Sequence, residues 1–213
     1  MYVPGQYRQA DDGWQAEILR GSPLALLVTN AVPDGTPYVT HLPVIPAGPH
    51  EAGDVGLVGS TLLGHLNRAN PHWHALASTT GSVLVFTGPN GYVSPTLYGY
   101  EPAAPTWDYT AVHVHGTVTR IDSAEETLEL VRATALAFER DFGAGWDMST
   151  SIDYFRKLLP AVGGFRFTVS RVDSMFKLSQ EQAPGVRTRV REHFAAHGCL
   201  AHRAAADLMG RLT

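Results

Sequence analysis

Cysteine is all but missing: Cys199 stands alone in 213 residues. That excludes an intramolecular disulfide and a cysteine-rich metal centre. Lysine is almost as scarce, with only Lys157 and Lys177 against a much larger set of arginines. Positive charge is in deficit, 16 basic against 20 acidic residues, for a net charge of −4. Binding to a nucleic acid wants a basic face that displaces counterions, so no nucleic-acid partner is expected. No apolar run approaches the roughly 20 residues that span a bilayer, so no membrane partner is expected either. Met1-Tyr2-Val3-Pro4-Gly5 lacks the basic end and apolar core of a secretory leader. A soluble cytoplasmic protein is the expectation. Also missing are Gly-x-Gly-x-x-Gly after a strand, a phosphate loop with Gly-Lys-Ser/Thr, and His-Glu-x-x-His. Rossmann, nucleotide-hydrolysing and zinc-protease readings are weak for that reason.

Charged residues make up only 17% and hydrophobic ones 44%. Much surface should be buried, which is compatible with a subunit interface. Trp14, Ile18 and Leu19 share the apolar face of a helix that opens at Asp11-Asp12-Gly13, where acidic residues suit the helix dipole, and ends at Gly21-Ser22-Pro23. Leu24 to Thr29 is a continuous apolar run, a buried strand. A turn at Pro33-Asp34-Gly35 leads to a returning strand, Tyr38 to Ile45, in which Pro43 suggests an edge or a bulge. Pro46 to Asp54 reads as a loop and Val55 to Leu63 as a third strand. Asn67 to Leu76 looks helical, with Asn70 as N-cap and Pro71 in the first turn.

Val83 to Phe86 is a fourth strand, followed by a turn at Gly88-Pro89-Asn90-Gly91. Asp108 to Ile121 alternates, with Tyr109, Ala111, His113 and His115 on one side and Thr110, Val112 and Val114 on the other. A helix starts at Asp122-Ser123-Ala124-Glu125-Glu126 and runs to Phe138 or Phe142, with Leu128, Val131, Ala135 and Phe138 on one face. A short helix (Ile152 to Leu159), a strand (Phe165 to Val172), a short segment (Phe176 to Gln180) and two helices (Val186 to Ala196, Leu200 to Leu212) complete the chain. Strands in hairpin order with late helices predict an α+β protein, an antiparallel closed or half-closed barrel.

The densest chemistry lies in Gly64-His65-Leu66-Asn67-Arg68-Ala69-Asn70-Pro71-His72-Trp73. A haem needs a nitrogen donor, an apolar slot and cations for two propionates. His65 is a candidate donor, with His72 and His74 as rivals, and Arg68 and Lys177 are candidate cations. A histidine that merely satisfies a helix terminus explains the same residues, and Lys177 between Phe176 and Leu178 also reads as a snorkelling side chain. His113 and His115 share a strand face, but no third metal ligand is evident. His50, His193, His197 and His202 lie in polar or loop-like contexts and are given no role.

Six motifs occur in order along about residues 1–185: Met1-Tyr2-Val3-Pro4, Thr40-His41-Leu42-Pro43, Gly64 to Pro71, Gly88 to Pro95, Pro105-Thr106-Trp107-Asp108-Tyr109 and Phe176-Lys177-Leu178-Ser179-Gln180. Together they resemble the PaiB-like family, FMN-binding split barrels usually described as negative transcriptional regulators. Ala144 to Met148, Ser151 to Arg156, Met175 to Gln182 and the pattern Gly64 to Trp73 further resemble the piperazate synthases, a branch that binds haem b in place of flavin. Those enzymes cyclise N5-hydroxy-L-ornithine to L-piperazic acid, forming a nitrogen–nitrogen bond with loss of water. After Pro95 the flavin-type members continue with a Trp-Tyr pair and a lysine. This chain has Thr96-Leu97-Tyr98-Gly99-Tyr100-Glu101, which weakens a flavin phosphate site.

The resemblance implies an antiparallel split barrel over residues 1–183 and a C-terminal helical extension, 184–213, packed on the same domain. It implies His65 as the proximal iron ligand. The cofactor-binding set then reads His65, Arg68, Asn70, Trp107 and Lys177. Tyr92 and Tyr109 join His65 as catalytic candidates, and His113 lines the pocket. Arg68 and Arg166 are candidates for the substrate carboxylate. A homodimer with the cofactor near its interface is expected. FMN is the alternative cofactor, and a flavoprotein or a transcriptional repressor the alternative function. The acidic balance and the lack of a helix-turn-helix with a basic face count against the repressor.

Overall fold

The computed structural model describes residues 1–8, 12–30, 35–48, 56–76 and 81–212, with the backbone alone at Asp12. The expected helix start at Asp11, the Pro33-Asp34 turn, the loop from 49 to 54 with His50, and Val55 lie outside the described residues.

Helix α1 (Asp12–Gly21) buries Trp14, Ile18 and Leu19 as its spacing predicts. Strand β1 (Leu24–Thr29) is not buried on both sides: Ala25, Leu27 and Thr29 point inward and the residues between them do not. A run apolar at nearly every position hides a one-sided strand, because its other face also meets partial cover. Strand β2 (Tyr38–Pro46) pairs with β1 up to Pro43 and with β3 from Val44 onward. Pro43 therefore stands where the strand passes from one partner to the other, a place that tolerates a missing donor. Strand β3 (Thr61–Asn67) begins and ends later than the apolar run suggests, so His65 is a strand residue and not a strand-to-helix junction.

Helix α2 (Pro71–Ala75) is a single turn capped by Asn70, whose side chain accepts from the His72 amide. Strand β4 (Gly81–Val93) runs straight through Gly88-Pro89-Asn90-Gly91. The expected turn is a bulge between Thr87 and Asn90, and the strand resumes its pairing beyond it. Strand β5 (Thr106–Ile121) is followed by α3 (Ala124–Phe142), capped by Ser123, which buries Thr127, Leu128, Leu130 and Thr134. Of the face expected there, only Leu128 is fully buried; Val131, Ala135 and Phe138 are partly covered. Helix α4 (Ile152–Leu158) precedes β6 (Val162–Lys177), one strand of 16 residues where two separate segments are predicted. Glycines and a turn-like DSM sequence obscured its continuity. Helices α5 (Pro184–Ala196) and α6 (Leu200–Gly210) close the chain.

The six strands form a closed antiparallel barrel in the order β1-β2-β3-β6-β5-β4. Phe86, Phe165, Phe167, Phe176, Leu27, Leu62 and Leu84 are essentially sealed from solvent. Each such side chain contributes about 1.5–3 kcal/mol relative to exposure. Helix α3 lies against the outer face of β2, β3, β5 and β6, and α6 against β4. Val186, Val190, Phe194, Ala205, Leu208 and Met209 of α5 and α6 join the main core.

Candidate cofactor site

Alternation fixes the facing of His65. Leu62, Gly64 and Leu66 point into the barrel, so Thr61, Leu63 and His65 look outward. Gly64 cannot be replaced freely, since a Cβ there would sit 2.5 Å from Cζ of Phe165. Across the ladder His65 faces Gly164, and the next residue beyond is Ile121. No side chain rises from Gly164 beside the imidazole, and a Cβ there would meet Leu130 of α3 at 3.4 Å. His65 is thus half-buried on a sheet face that α3 adjoins. Its Nδ1 is buried with no hydrogen-bond partner among the described residues. Burial depresses its pKa, so the neutral imidazole, which has a lone pair to give, is the resting form. Among the described residues that nitrogen meets no acceptor of the kind that orients a ligating histidine.

The residues after His65 make a compact cap. Arg68 donates from Nε to the Val162 carbonyl at 2.8 Å, and its guanidinium lies 5.4 Å from the Trp73 ring. Arg120 lies on the same ring at 4.4 Å and donates to the carbonyls of Trp73 and His74. Arg68 keeps its two terminal nitrogens free of protein partners among the described residues. Asn70 does not: Oδ1 accepts from the His72 amide at 3.0 Å, and Nδ2 donates to Thr40 Oγ1 at 3.2 Å. Its side chain holds the turn with one hydrogen bond from each polar atom. His72 is fully buried, bonded through Nδ1 to Thr40 at 2.9 Å and stacked on Tyr38 at 5.4 Å, with Nε2 unpartnered. His72 and His74 belong to α2, as expected of His65's rivals.

Tyr92, Trp107, Tyr109 and Lys177 gather elsewhere. Tyr92 faces Trp107 across β4 and β5, ring centroids 6.2 Å apart, and both rings are about half exposed. Lys177 faces Tyr109 and donates to the Trp107 carbonyl at 3.0 Å and to Thr106 Oγ1. The residue opposite His65 is Gly164, and the β5–β6 ladder runs from Gly164–Ile121 to Lys177–Tyr109. That is 177 − 164 = 13 residues. At strand rise it is roughly 40 Å along the ladder, beyond the span of one haem or flavin. The expected set of His65, Arg68, Trp107 and Lys177 is therefore divided between the two ends of one ladder. The physical reason is the unbroken 16-residue β6, which carries its two ends apart.

Sequence reasoning gave no role to Asp108. It is completely buried beneath that second edge, its Oδ2 accepting from Ser179 Oγ at 2.6 Å and its Oδ1 unpartnered. Burial raises its pKa to about 6. The strand alternation carried the signal, since Asp108 falls on the inward side with Thr110 and Val112.

His115 is engaged by Asp173 at 3.0 Å and Arg171 at 3.1 Å, and His113 is half-buried beside it with its pKa lowered by burial. Arg166 pairs with Glu126 at 2.8 Å on the surface. Among the described residues no three His, Cys, Asp or Glu side chains are set to hold a metal ion. Among the same residues no helix is long and apolar enough to cross a membrane.

The model of one family, described as "Putative FMN-binding domain", matches residues 1–171. The chain belongs to this family. A relative from Bacillus subtilis, protease synthase and sporulation protein PAI 2, is 28% identical over 185 residues, covering 85% of this chain and 83% of its own. Among solved structures, the FAD and haem binding protein from Mycobacterium smegmatis superposes with a TM-score of 0.56 at 20% identity, over 79% of this chain and 72% of that one. The flavocytochrome Anf3 from Azotobacter vinelandii gives 0.51 at 17% identity, over 80% and 69%. At these identities the likeness is one of fold, a split barrel of the FMN-binding kind.

Proposed function

We propose that this family member is a haem-dependent piperazate synthase, closing N5-hydroxy-L-ornithine to L-piperazic acid. The observation that carries the reading is His65. It is a half-buried imidazole held neutral by burial, with one ring nitrogen unpartnered and a glycine opposite. It stands inside the stretch that resembles the haem branch. The donor set fits a haem: a neutral histidine for iron, and Arg68 with free terminal nitrogens for a carboxylate. The family's description favours FMN as a second reading. Of the structural neighbours, one is by name an FAD and haem binding protein and the other a flavocytochrome, which supports the capacity of this fold for either group.

In the reaction the N–O bond of the substrate breaks, the α-amine nitrogen bonds to N5, and the hydroxyl leaves as water with a proton from the amine. Bound haem would supply Lewis-acid activation of the N–O bond. The chain's own task is to hold the flexible substrate in a ring-like shape, so that two nitrogens meet at bonding distance. Arg68 is fixed through Nε and by the Trp73 ring, which leaves a preorganised fork for the substrate carboxylate or a propionate. Tyr92, Trp107, Tyr109 and Lys177 lie too far along the ladder to serve the same chain's His65. In this reading they serve the His65 of a second copy, so that the site closes in a homodimer.

The absorption spectrum of the purified protein tests the proposal. We expect a Soret band that disappears in His65→Ala, together with conversion of N5-hydroxy-L-ornithine to a product lighter by one water. A Soret band and turnover unchanged in His65→Ala would overturn the assignment, and a flavin spectrum would select the second reading.

A further inference from the structure

Asp108 occupies a position that a carboxyl group rarely holds. It is fully buried, on the inward side of β5 with Thr110 and Val112. Ser179 reaches it with its hydroxyl, which donates to Oδ2 at 2.6 Å. To do so Ser179 adopts a φ of 59°, a conformation uncommon outside glycine, and is itself buried. One residue in an uncommon conformation therefore holds one carboxyl oxygen, while the other oxygen has no partner among the described residues. The neighbours of Asp108 in sequence are Trp107, exposed at the surface, and Tyr109, opposite Lys177. The same Trp107 carbonyl holds Lys177 Nζ. Asp108 thus ties the first residues of β5 to the turn that ends β6, and the exposed edge hangs on that tie.

Several charged or titratable groups surround it: Tyr7 from the N-terminal turn, Tyr98 from the segment after β4, Lys177 from β6 and Glu181 beyond it. Lys177 favours the charged carboxylate, Glu181 opposes it, and burial opposes it most. We propose that Asp108 is a positioning residue for the Trp107–Lys177 edge and holds that edge differently in its protonated and ionised states. When neutral, the carboxyl brings no charge into its buried surroundings, and Lys177 stays on the Trp107 carbonyl. When ionised, the carboxylate draws Lys177 toward itself and repels Glu181, and the Trp107 backbone that bridges them shifts. The inference stands on the geometry of one chain and does not depend on which cofactor the family member takes.

Tryptophan emission followed from pH 4.5 to pH 8 tests it, with Trp107→Phe to assign the signal. Wild type should show a transition centred near 6, the value at which burial places this carboxyl. It should vanish in Trp107→Phe. Asp108→Asn retains an acceptor for Ser179 and cannot ionise, so the transition should be lost while the far-ultraviolet circular dichroism is kept. Two further variants carry signs of their own. Ser179→Ala removes a donor that favours the carboxylate, so the midpoint should rise. Glu181→Gln removes an opposing charge, so the midpoint should fall. A wild-type protein without the transition, or one whose transition survives in Asp108→Asn, overturns the proposal. Should Asp108→Asn fail to fold, unshifted midpoints in both Ser179→Ala and Glu181→Gln overturn it instead.

Discussion

The two ends of the β5–β6 ladder are built on opposite plans. Around His65 the polar atoms are buried and short of partners: Nδ1 of His65 and Nε2 of His72 both lack one. Two arginines lie flat on Trp73 and a capped turn locks the rest in place. Around Trp107 one buried atom, Asp108 Oδ1, is likewise unpartnered, but the surface above it is built differently. The aromatic rings are exposed, while Lys177 is already satisfied by Thr106 and the Trp107 carbonyl. One end is a rigid socket with unmet donors and acceptors; the other is an aromatic edge with nothing over it. In the homodimer proposed above, such halves complement each other across two chains.

The largest effect should come from setting these halves against each other. Either His65→Ala or Trp107→Ala alone should reduce haem retention in a homodimer, His65→Ala to nothing measurable. A mixed dimer, one subunit carrying each substitution, should regain about half of the wild-type Soret absorbance, because one of its two shared sites contains both native residues. Recovery is to be read on tagged, co-expressed chains. If mixed dimers bind no more haem than the sum of the parents, the far edge does not belong to the same site as His65.

Next in size are two changes of stability, one at each end. Gly64→Ala at the socket end forces a methyl against the Phe165 ring inside a closed barrel. Overpacking of this kind costs about 1–3 kcal/mol, and the upper part of that range is expected because the ring is fully buried. Denaturant titration measures it. At the other end, Asp108 has a folded-state pKa of about 6, raised from 3.8 by burial. The folded state therefore binds the extra proton between those values, and stability falls as pH rises through that window. The loss is complete above about pH 6 and is on the order of 2–3 kcal/mol. Asp108→Asn should remove this loss. It should be the more stable protein at pH 7.5 and gain nothing at pH 3.5. A variant less stable than wild type at pH 7.5 would mean that the ionised carboxylate finds compensation in the Ser179 cradle.

What the sequence made legible follows from the range over which each signal acts. Alternation in Asp108 to Ile121 and the caps at Asn70 and Ser123 are local, and each appears where its spacing predicts. The antiparallel barrel follows from strands in hairpin order, and it is closed. The misread elements are those in which a turn-like composition meets long-range pairing. Gly88-Pro89-Asn90-Gly91 has every local mark of a turn, yet β4 continues through it as a bulge because β5 pairs on both sides. Phe165 to Lys177 looked broken for the same reason, and β5 holds it in one strand. That error carried over to the site. With β6 read as two pieces, nothing kept Lys177 away from His65; as one strand it sets them at opposite ends. Asn70 shows the reach of local signals in another way. Its N-cap was read correctly, but its second hydrogen bond, to Thr40, joins residues 30 apart and has no trace in local sequence.

That second bond allows the smallest of these effects to be separated from function. Asn70→Ser keeps an N-cap acceptor for the His72 amide and loses the donor to Thr40. Asn70→Ala loses both. Removing the cap costs about 1 kcal/mol, so Asn70→Ala should be less stable than Asn70→Ser by that amount. Haem binding should follow stability: unchanged in Asn70→Ser, and in Asn70→Ala weakened only as far as α2 frays. Were Asn70 a cofactor ligand, the order would differ, since a shortened side chain in Asn70→Ser would lower haem affinity with the helix cap intact. Parallel thermal melts and haem titrations on the two variants decide between them. The outcome also bears on the contrast between the two ends, because a socket whose cap residues are purely structural leaves His65 and Arg68 as the groups there that are free to meet a ligand.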